Sequence, residues 1–142
     1  MAHHMSDQER RDFLSFGTRT AKLAVTRKNG APHVAPIWFV LDGDDIIFTT
    51  GEGTVKGKSI RRDGRVALSI DDDAPPFSFV ILEGTVTVSR DPDELLYWAT
   101  KLAERYMGAD LAEQYGRRNA VPEELLVRLT PTKTIAQAAI SD

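Results

Sequence analysis

Apolar and polar positions alternate with period two along most of the chain and switch to a helical period only in short stretches. Ser6 opens the first such stretch as an N-cap, with Glu9 as its capping-box partner. Phe13, Leu14 and Phe16 give this helix an apolar side, and Gly17 stops it. A first strand follows, with Leu23 and Val25 alternating against Lys22, Ala24 and Thr26. Lys28-Asn29-Gly30 predicts a hairpin turn, since Asn-Gly accepts positive φ. The second strand is expected from Pro32 to Leu41, with Pro36 placing it at an edge or a bulge because proline has no N–H for the ladder. Asp42-Gly43-Asp44 turns into a third strand, Ile46 to Thr50. Gly51-Glu52-Gly53-Thr54 then leads into a short helix from Val55 to Arg62.

Val66, Leu68 and Ile70 mark a fourth strand, and Asp71 to Pro76 a polar loop closed by proline. The fifth strand is long, from Phe77 to Ser89, with Val80, Leu82, Val86 and Val88 on one face and Glu83 on the other, facing solvent or paired. Asp91-Pro92 opens the clearest helix: an N-cap, proline at the first position, and two acids in the first turn. Its buried stripe is Leu95, Ala99, Leu102 and Tyr106, and Gly108 ends it. A shorter helix from Ala109 to Arg118 and a closing strand from Leu125 to Ala139, with Pro131 as a potential interruption, complete the order. Strands at hairpin spacing with few helices predict a mainly β protein, a small antiparallel barrel with the late helix pair packed outside it.

Bulk composition narrows the function more than the fold. The 142 residues fit one domain, and 42% hydrophobic residues suffice for a core. Met1-Ala2-His3-His4-Met5 reads as an expression-tag remnant and is set apart from a single domain spanning 6–142. A net charge of -3 gives no general attraction to nucleic acid or anionic lipid. No apolar run approaches a membrane span and no signal-peptide core is present, so a cytoplasmic location is expected. The absence of cysteine excludes disulfides, thiolate metal sites and cysteine nucleophiles. Outside the tag only His33 carries an imidazole, which leaves no material for a zinc site or a histidine triad, and no metal is expected.

Candidate chemistry concentrates between Thr49 and Arg65. Thr49, Thr50 and Thr54 supply hydroxyls, and Gly51 and Gly53 allow close backbone approach to a ligand. From Thr54 to Arg65 the basic residues Lys56, Lys58, Arg61, Arg62 and Arg65 stand against the single acid Asp63. Two readings fit this excess: a seat for a phosphate or carboxylate, or a solvated basic face on a short helix. The P-loop pattern is absent. Trp38 and Phe39 suit core or interface packing better than a stacking platform. Phe77 and Phe79 suit either strand-entry packing or the flanks of a planar ring. Asp71-Asp72-Asp73 reads as solvated loop acids rather than a cation site. No nucleophile, general base or metal assembles, and the catalytic residues stay unassigned. A hydride carrier requires none, because it brings the reactive atom itself.

Three segments carry a family resemblance: Ala31-Pro32-His33-Val34-Ala35-Pro36-Ile37-Trp38-Phe39, Phe48-Thr49-Thr50-Gly51, and Lys56 through Leu68 with its K-x-x-x-x-R-R-D-x-R spacing. Phe77-Ser78-Phe79, Glu83-Gly84-Thr85 and Arg105-Tyr106-Met107-Gly108 add to them. Together they resemble the pyridoxamine 5'-phosphate oxidase-like superfamily, most closely its actinobacterial branch of F420 (deazaflavin)-dependent oxidoreductases. The resemblance implies a six-stranded antiparallel split β-barrel of the FMN-binding type and a homodimer with its sites at the interface. It implies hydride transfer between F420 and a small organic molecule with an electrophilic double bond. An FMN-dependent oxidase or reductase, or a non-enzymatic cofactor carrier, stands as the alternative. By the same resemblance Lys56 holds the cofactor phosphate, with Lys58 and Thr54 flanking it. Thr49 and Thr50 line the ring and ribityl chain, and Ala35, Pro36 and Ile37 lie along the ring. Phe77 and Phe79 stand near the cofactor tail, contributed by the partner subunit.

Overall fold

In the computed structural model, which describes residues 1–142, the alternating segments pair into one antiparallel sheet. Its strands are β1 (His3–His4), β2 (Ala21–Thr26), β3 (Pro32–Ile37), β4 (Val40–Asp42), β5 (Asp45–Gly51), β6 (Arg65–Asp72), β7 (Ser78–Ser89) and β8 (Glu124–Ala138). The helices are α1 (Asp7–Ser15), α2 (Val55–Arg62), α3 (Pro92–Met107) and α4 (Ala112–Asn119). Strand order is β3-β2-β6-β7-β8-β5-β4. Both sides of β8 are used, one by β7 and the other by β5 along its first half and β1 at its end. The sheet curls around an apolar interior built from alternate residues of nearly every strand, among them Leu23, Phe48, Leu68, Leu82 and Leu129. It does not close, and the architecture is a split barrel.

Eight strands stand where six were expected, for two reasons. His3–His4, set apart in the sequence as tag residues, lie along Gln137 and Ala138 of β8. The expected strand from Pro32 to Leu41 is broken at Trp38 and Phe39. Its first part, β3, is an edge strand on β2, which explains how Pro36 is tolerated. Its second part, β4, pairs with β5 at the opposite edge. The chain therefore crosses from one edge of the sheet to the other within two residues, and no ladder partner is available there. Helix α3 supplies the missing partners. The Tyr106 hydroxyl accepts the Phe39 N–H at 3.1 Å and donates to the Arg19 carbonyl at 2.8 Å. Arg105 donates to the carbonyls of Phe39 (2.7 Å), Leu14 (2.7 Å) and Gly17 (3.0 Å).

The helices begin where their caps predict. Ser6 and Glu9 form a reciprocal capping box, and Asp91 caps α3 through the Asp93 N–H at 2.9 Å. Helix α3 packs outside the barrel, burying Leu95 against Ile47 and Leu126. The last predicted helix is a 3-10 turn, Ala109–Leu111, followed by α4. Strand β7 departs from expectation at its end: Val80 and Leu82 are buried, Val86 only partly, and Val88 is exposed. Pairing with β6 stops at Thr85, so the last residues of β7 run past the barrel interior. Pro131 does not interrupt β8; a register shift at Glu83/Gly84 accommodates it. The shift needs glycine, since a Cβ at Gly84 would stand 2.2 Å from the Thr130 carbonyl oxygen. Glu83 faces outward and pairs with Lys133 at 3.7 Å.

Candidate functional site

Strand β5 ends at Gly51, and the turn after it sets the site. Thr54 is the N-cap of α2: its hydroxyl accepts the Gly57 N–H at 3.0 Å and donates to the Gly51 carbonyl at 2.8 Å. The buried Thr50 hydroxyl lies 3.2 Å from it. The glycine that lets the turn pack is Gly57, where a Cβ would stand 2.2 Å from the Gly51 carbonyl oxygen; at Gly53 it would meet only open space. Arg61 ties the helix back to the turn through the Glu52 carbonyl at 3.2 Å, and Arg90 holds the Glu52 carboxylate at 2.5 Å.

This turn opens onto a cavity of about 330 Å³ between the sheet and the outer helices. One side is apolar, formed by Pro36, Ile37 and Trp38 with Ala99 and Leu102 of α3. The other is polar, formed by Thr49, Thr50, Thr54 and Lys56 with Asn119 and Glu124. The Trp38 ring stacks on Tyr106, centroids 4.8 Å apart and planes 5° from parallel, so the residues at the sheet crossing also shape the cavity wall.

The basic cluster divides cleanly. Arg62 donates to the Thr26 carbonyl at 2.6 Å, Arg65 pairs with Asp63 at 2.8 Å, and Arg61 is engaged as above. That pairing holds Asp63 down at a pKa of about 2, mainly through its hydrogen bonds from Arg65. No ion pair takes Lys56, and it faces the cavity, half-buried. Lys58 is exposed and outside the cavity. Two residues along an α-helix turn a side chain through about 200°, so the pair does not share a face.

Of the ten residues proposed from sequence, the cavity gathers Pro36, Ile37, Thr49, Thr50, Thr54 and Lys56. Ala35 sits inside β3 opposite Leu23 and does not line it. Phe77, exposed at positive φ, and Phe79, opposite Asp71 and Gln137, belong to the β7 entrance, elsewhere on the chain. Sequence reasoning missed Glu124 and Asn119, which reach the cavity from β8 and α4. Nothing in their local pattern marks them. Glu124 is half-buried, and burial pushes its carboxyl above the usual range, with the Thr49 hydroxyl and the Lys56 charge pulling the other way. Two further stretches lie outside the cavity: His33 Nδ1 lies 3.1 Å from an Arg27 amino nitrogen, and Asp71 and Asp72 extend β6 and pair with Lys22 and Arg19.

An open antiparallel barrel, with a half-apolar, half-polar cavity where a Gly-Thr turn meets a short helix, defines a class of small split-barrel proteins. The pyridoxamine 5'-phosphate oxidase family matches residues 6–138, and the chain belongs to it. No curated protein matches the chain. Among solved structures, the conserved hypothetical protein Rv2991 from Mycobacterium tuberculosis is 26% identical, with a TM-score of 0.83 over 96% of this chain and 87% of that one. An F420 reductase is also 26% identical, with a TM-score of 0.67 over 87% of this chain and 94% of that one. The haem storage protein HutZ from Vibrio cholerae superposes with a TM-score of 0.73 over 92% of this chain and 94% of that one. Its 14% identity speaks to the shared fold alone.

Proposed function

We propose that the chain is an F420-dependent oxidoreductase that passes a hydride between reduced deazaflavin and a small organic substrate with an electrophilic double bond. The observation that carries this reading is Lys56, an ammonium that no ion pair takes, facing a cavity it shares with Glu124 and whose other residues include Pro36, Ile37 and Trp38. That arrangement suits a ligand with an anionic tail and a planar head. The likeness to an F420 reductase at 26% identity favours deazaflavin within the family. When bound, the ring supplies the hydride. Lys56 holds the phosphate, and the hydroxyl of Thr49 offers a hydrogen bond to the chain between phosphate and ring. Thr54 contributes through α2, whose start it caps, since its own hydroxyl is engaged with Gly51 and Gly57. Pro36, Ile37 and Trp38 exclude water from the ring end. Holding two reactants in register contributes up to roughly 7–11 kcal/mol to the rate, and no nucleophile is required.

The protein acts as a homodimer in this reading. Phe77, Phe79 and Lys58 lie outside the cavity of their own chain, and a second subunit gives them a place near a cofactor tail. FMN is the alternative ligand, because its terminal phosphate would fit the same lysine. Titration with F420 and with FMN, followed by fluorescence, tests the proposal. Binding of F420 that weakens at least tenfold in Lys56→Ala, with thermal stability kept, is the expected result. Equal affinity in the variant would remove the phosphate assignment. Tight binding of FMN and none of F420 would move the chain to the flavin branch of the family.

A further inference from the structure

Glu124 is an acid placed where an anion is to be bound. It opens β8 opposite Gly51, so its side chain enters the cavity beside the Gly-Thr turn. A Cβ built on Gly51 would stand 3.7 Å from Glu124 Oε1, which places the carboxylate directly over the end of β5. The groups facing it are Thr49 from β5, Lys56 from α2 and Asn119 from α4, with Trp38, Ala99 and Leu102 completing the wall. Only Lys56 among them carries a charge. The neighbouring acids are directed elsewhere: Glu52 is held by Arg90, and Glu123 is exposed.

In the free protein the Lys56 charge helps keep this carboxyl ionised. An anion seated on Lys56 cancels that help and adds a second negative charge to the same half-enclosed space, where salt screens poorly. Both effects favour the neutral acid.

We propose that seating an anionic ligand tail on Lys56 is coupled to protonation of Glu124, so that the cavity takes up one proton from solvent as it takes up its ligand. The inference rests on the phosphate assignment made above. The protonated acid then offers an O–H to the ligand and carries no charge to repel it. Affinity for an anionic tail therefore falls as pH rises through the range in which Glu124 ionises, and a glutamine at this position removes that dependence.

The test uses FMN as the probe, at constant ionic strength between pH 4.5 and 8, with wild type, Glu124→Gln and Lys56→Ala. Ionisation of the FMN phosphate itself is common to wild type and Glu124→Gln and cancels in the ratio of their dissociation constants. That ratio is expected near one at the acid end and to reach about tenfold in favour of Glu124→Gln by pH 8, one unit of proton linkage. A ratio that stays flat across the range overturns the coupling. Titration calorimetry at pH 7, in buffers of different ionisation enthalpy, reads the net proton exchange of wild type and of Glu124→Gln, the FMN phosphate contributing equally to both. More proton uptake by wild type than by Glu124→Gln supports the coupling, and equal or smaller uptake opposes it. If instead Lys56→Ala binds FMN as wild type does, the phosphate assignment has failed and the coupling falls with it. A Lys56→Ala loss with a flat ratio sinks the coupling alone.

Discussion

A carboxyl half-shielded from water, as Glu124 is, holds its proton more tightly than the same group in the unfolded chain. The folded state then binds more protons than the unfolded one around that range, and stability falls as pH rises through the folded value. The contribution is fully present below the unfolded carboxyl's range and absent above the folded one. Glu124→Gln should accordingly raise the melting temperature at pH 7–8, with the gap closing towards pH 4. Thermal unfolding followed by circular dichroism at several pH values checks this; a gap that widens in acid would contradict it. Lys56 makes no ion pair, although its charge reaches Glu124, and its loss should cost binding far more than folding. The difference between these residues was unequally legible. Lys56 announced itself through a basic cluster and a family motif. Glu124 is an ordinary acid before an apolar strand, and its role arises only because β8 pairs its first residue with the last residue of β5.

The turn-helix element from Gly51 to Arg62 works because its backbone is closely packed. Gly57→Ala would drive a Cβ into the Gly51 carbonyl, and backbone there has no rotamer by which to yield. We expect a loss of about 2–3 kcal/mol by denaturant titration, in line with overpacked sites, together with weaker cofactor binding as the turn shifts. The control is Gly53→Ala, where the new methyl meets nothing and the loss should be small. Which glycine matters could not be read from the chain, since both stand in the same polar stretch and only the approach of helix to strand distinguishes them. The caps were readable, because a cap is satisfied by residues two or three positions away. Lys58 follows Lys56 by two positions, and the helical period turns it away from the cavity of its own chain.

For the molecule as a whole, the crossing between sheet edges is the feature on which the barrel depends. The backbone groups of Phe39 have no strand beside them, and Arg105 and Tyr106 replace the ladder from α3. Arg105 sits half-buried over the Phe39 ring, its cation held by three carbonyls rather than by a carboxylate. Arg105→Met leaves those carbonyls unpaired while keeping most of the apolar stem, and should cost about 3 kcal/mol in chemical denaturation. A loss below about 0.5 kcal/mol would show that water replaces the guanidinium there. Because Trp38 stacks on Tyr106, Tyr106→Leu should also loosen the apolar wall of the cavity and weaken ring binding. Oligomeric state is decided at this level too. Sedimentation equilibrium should give twice the 15.7 kDa chain mass, and a monomer that still binds F420 at full affinity would leave Phe77 and Phe79 without a part in the site.

Most of the strands and helices, their caps and turns, and the expectation of an edge or a bulge at Pro36 follow from local pattern, because each depends on residues within a few positions of one another; the family was legible as a resemblance of whole segments. The break at Trp38-Phe39, the use of both sides of β8, the division of the two lysines and the arrival of Glu124 in the cavity do not follow from local pattern. Each depends on which segments, far apart in the chain, are brought together when the sheet curls. A period-two pattern specifies that a strand has a buried face but is silent on which neighbour pairs with either of its edges.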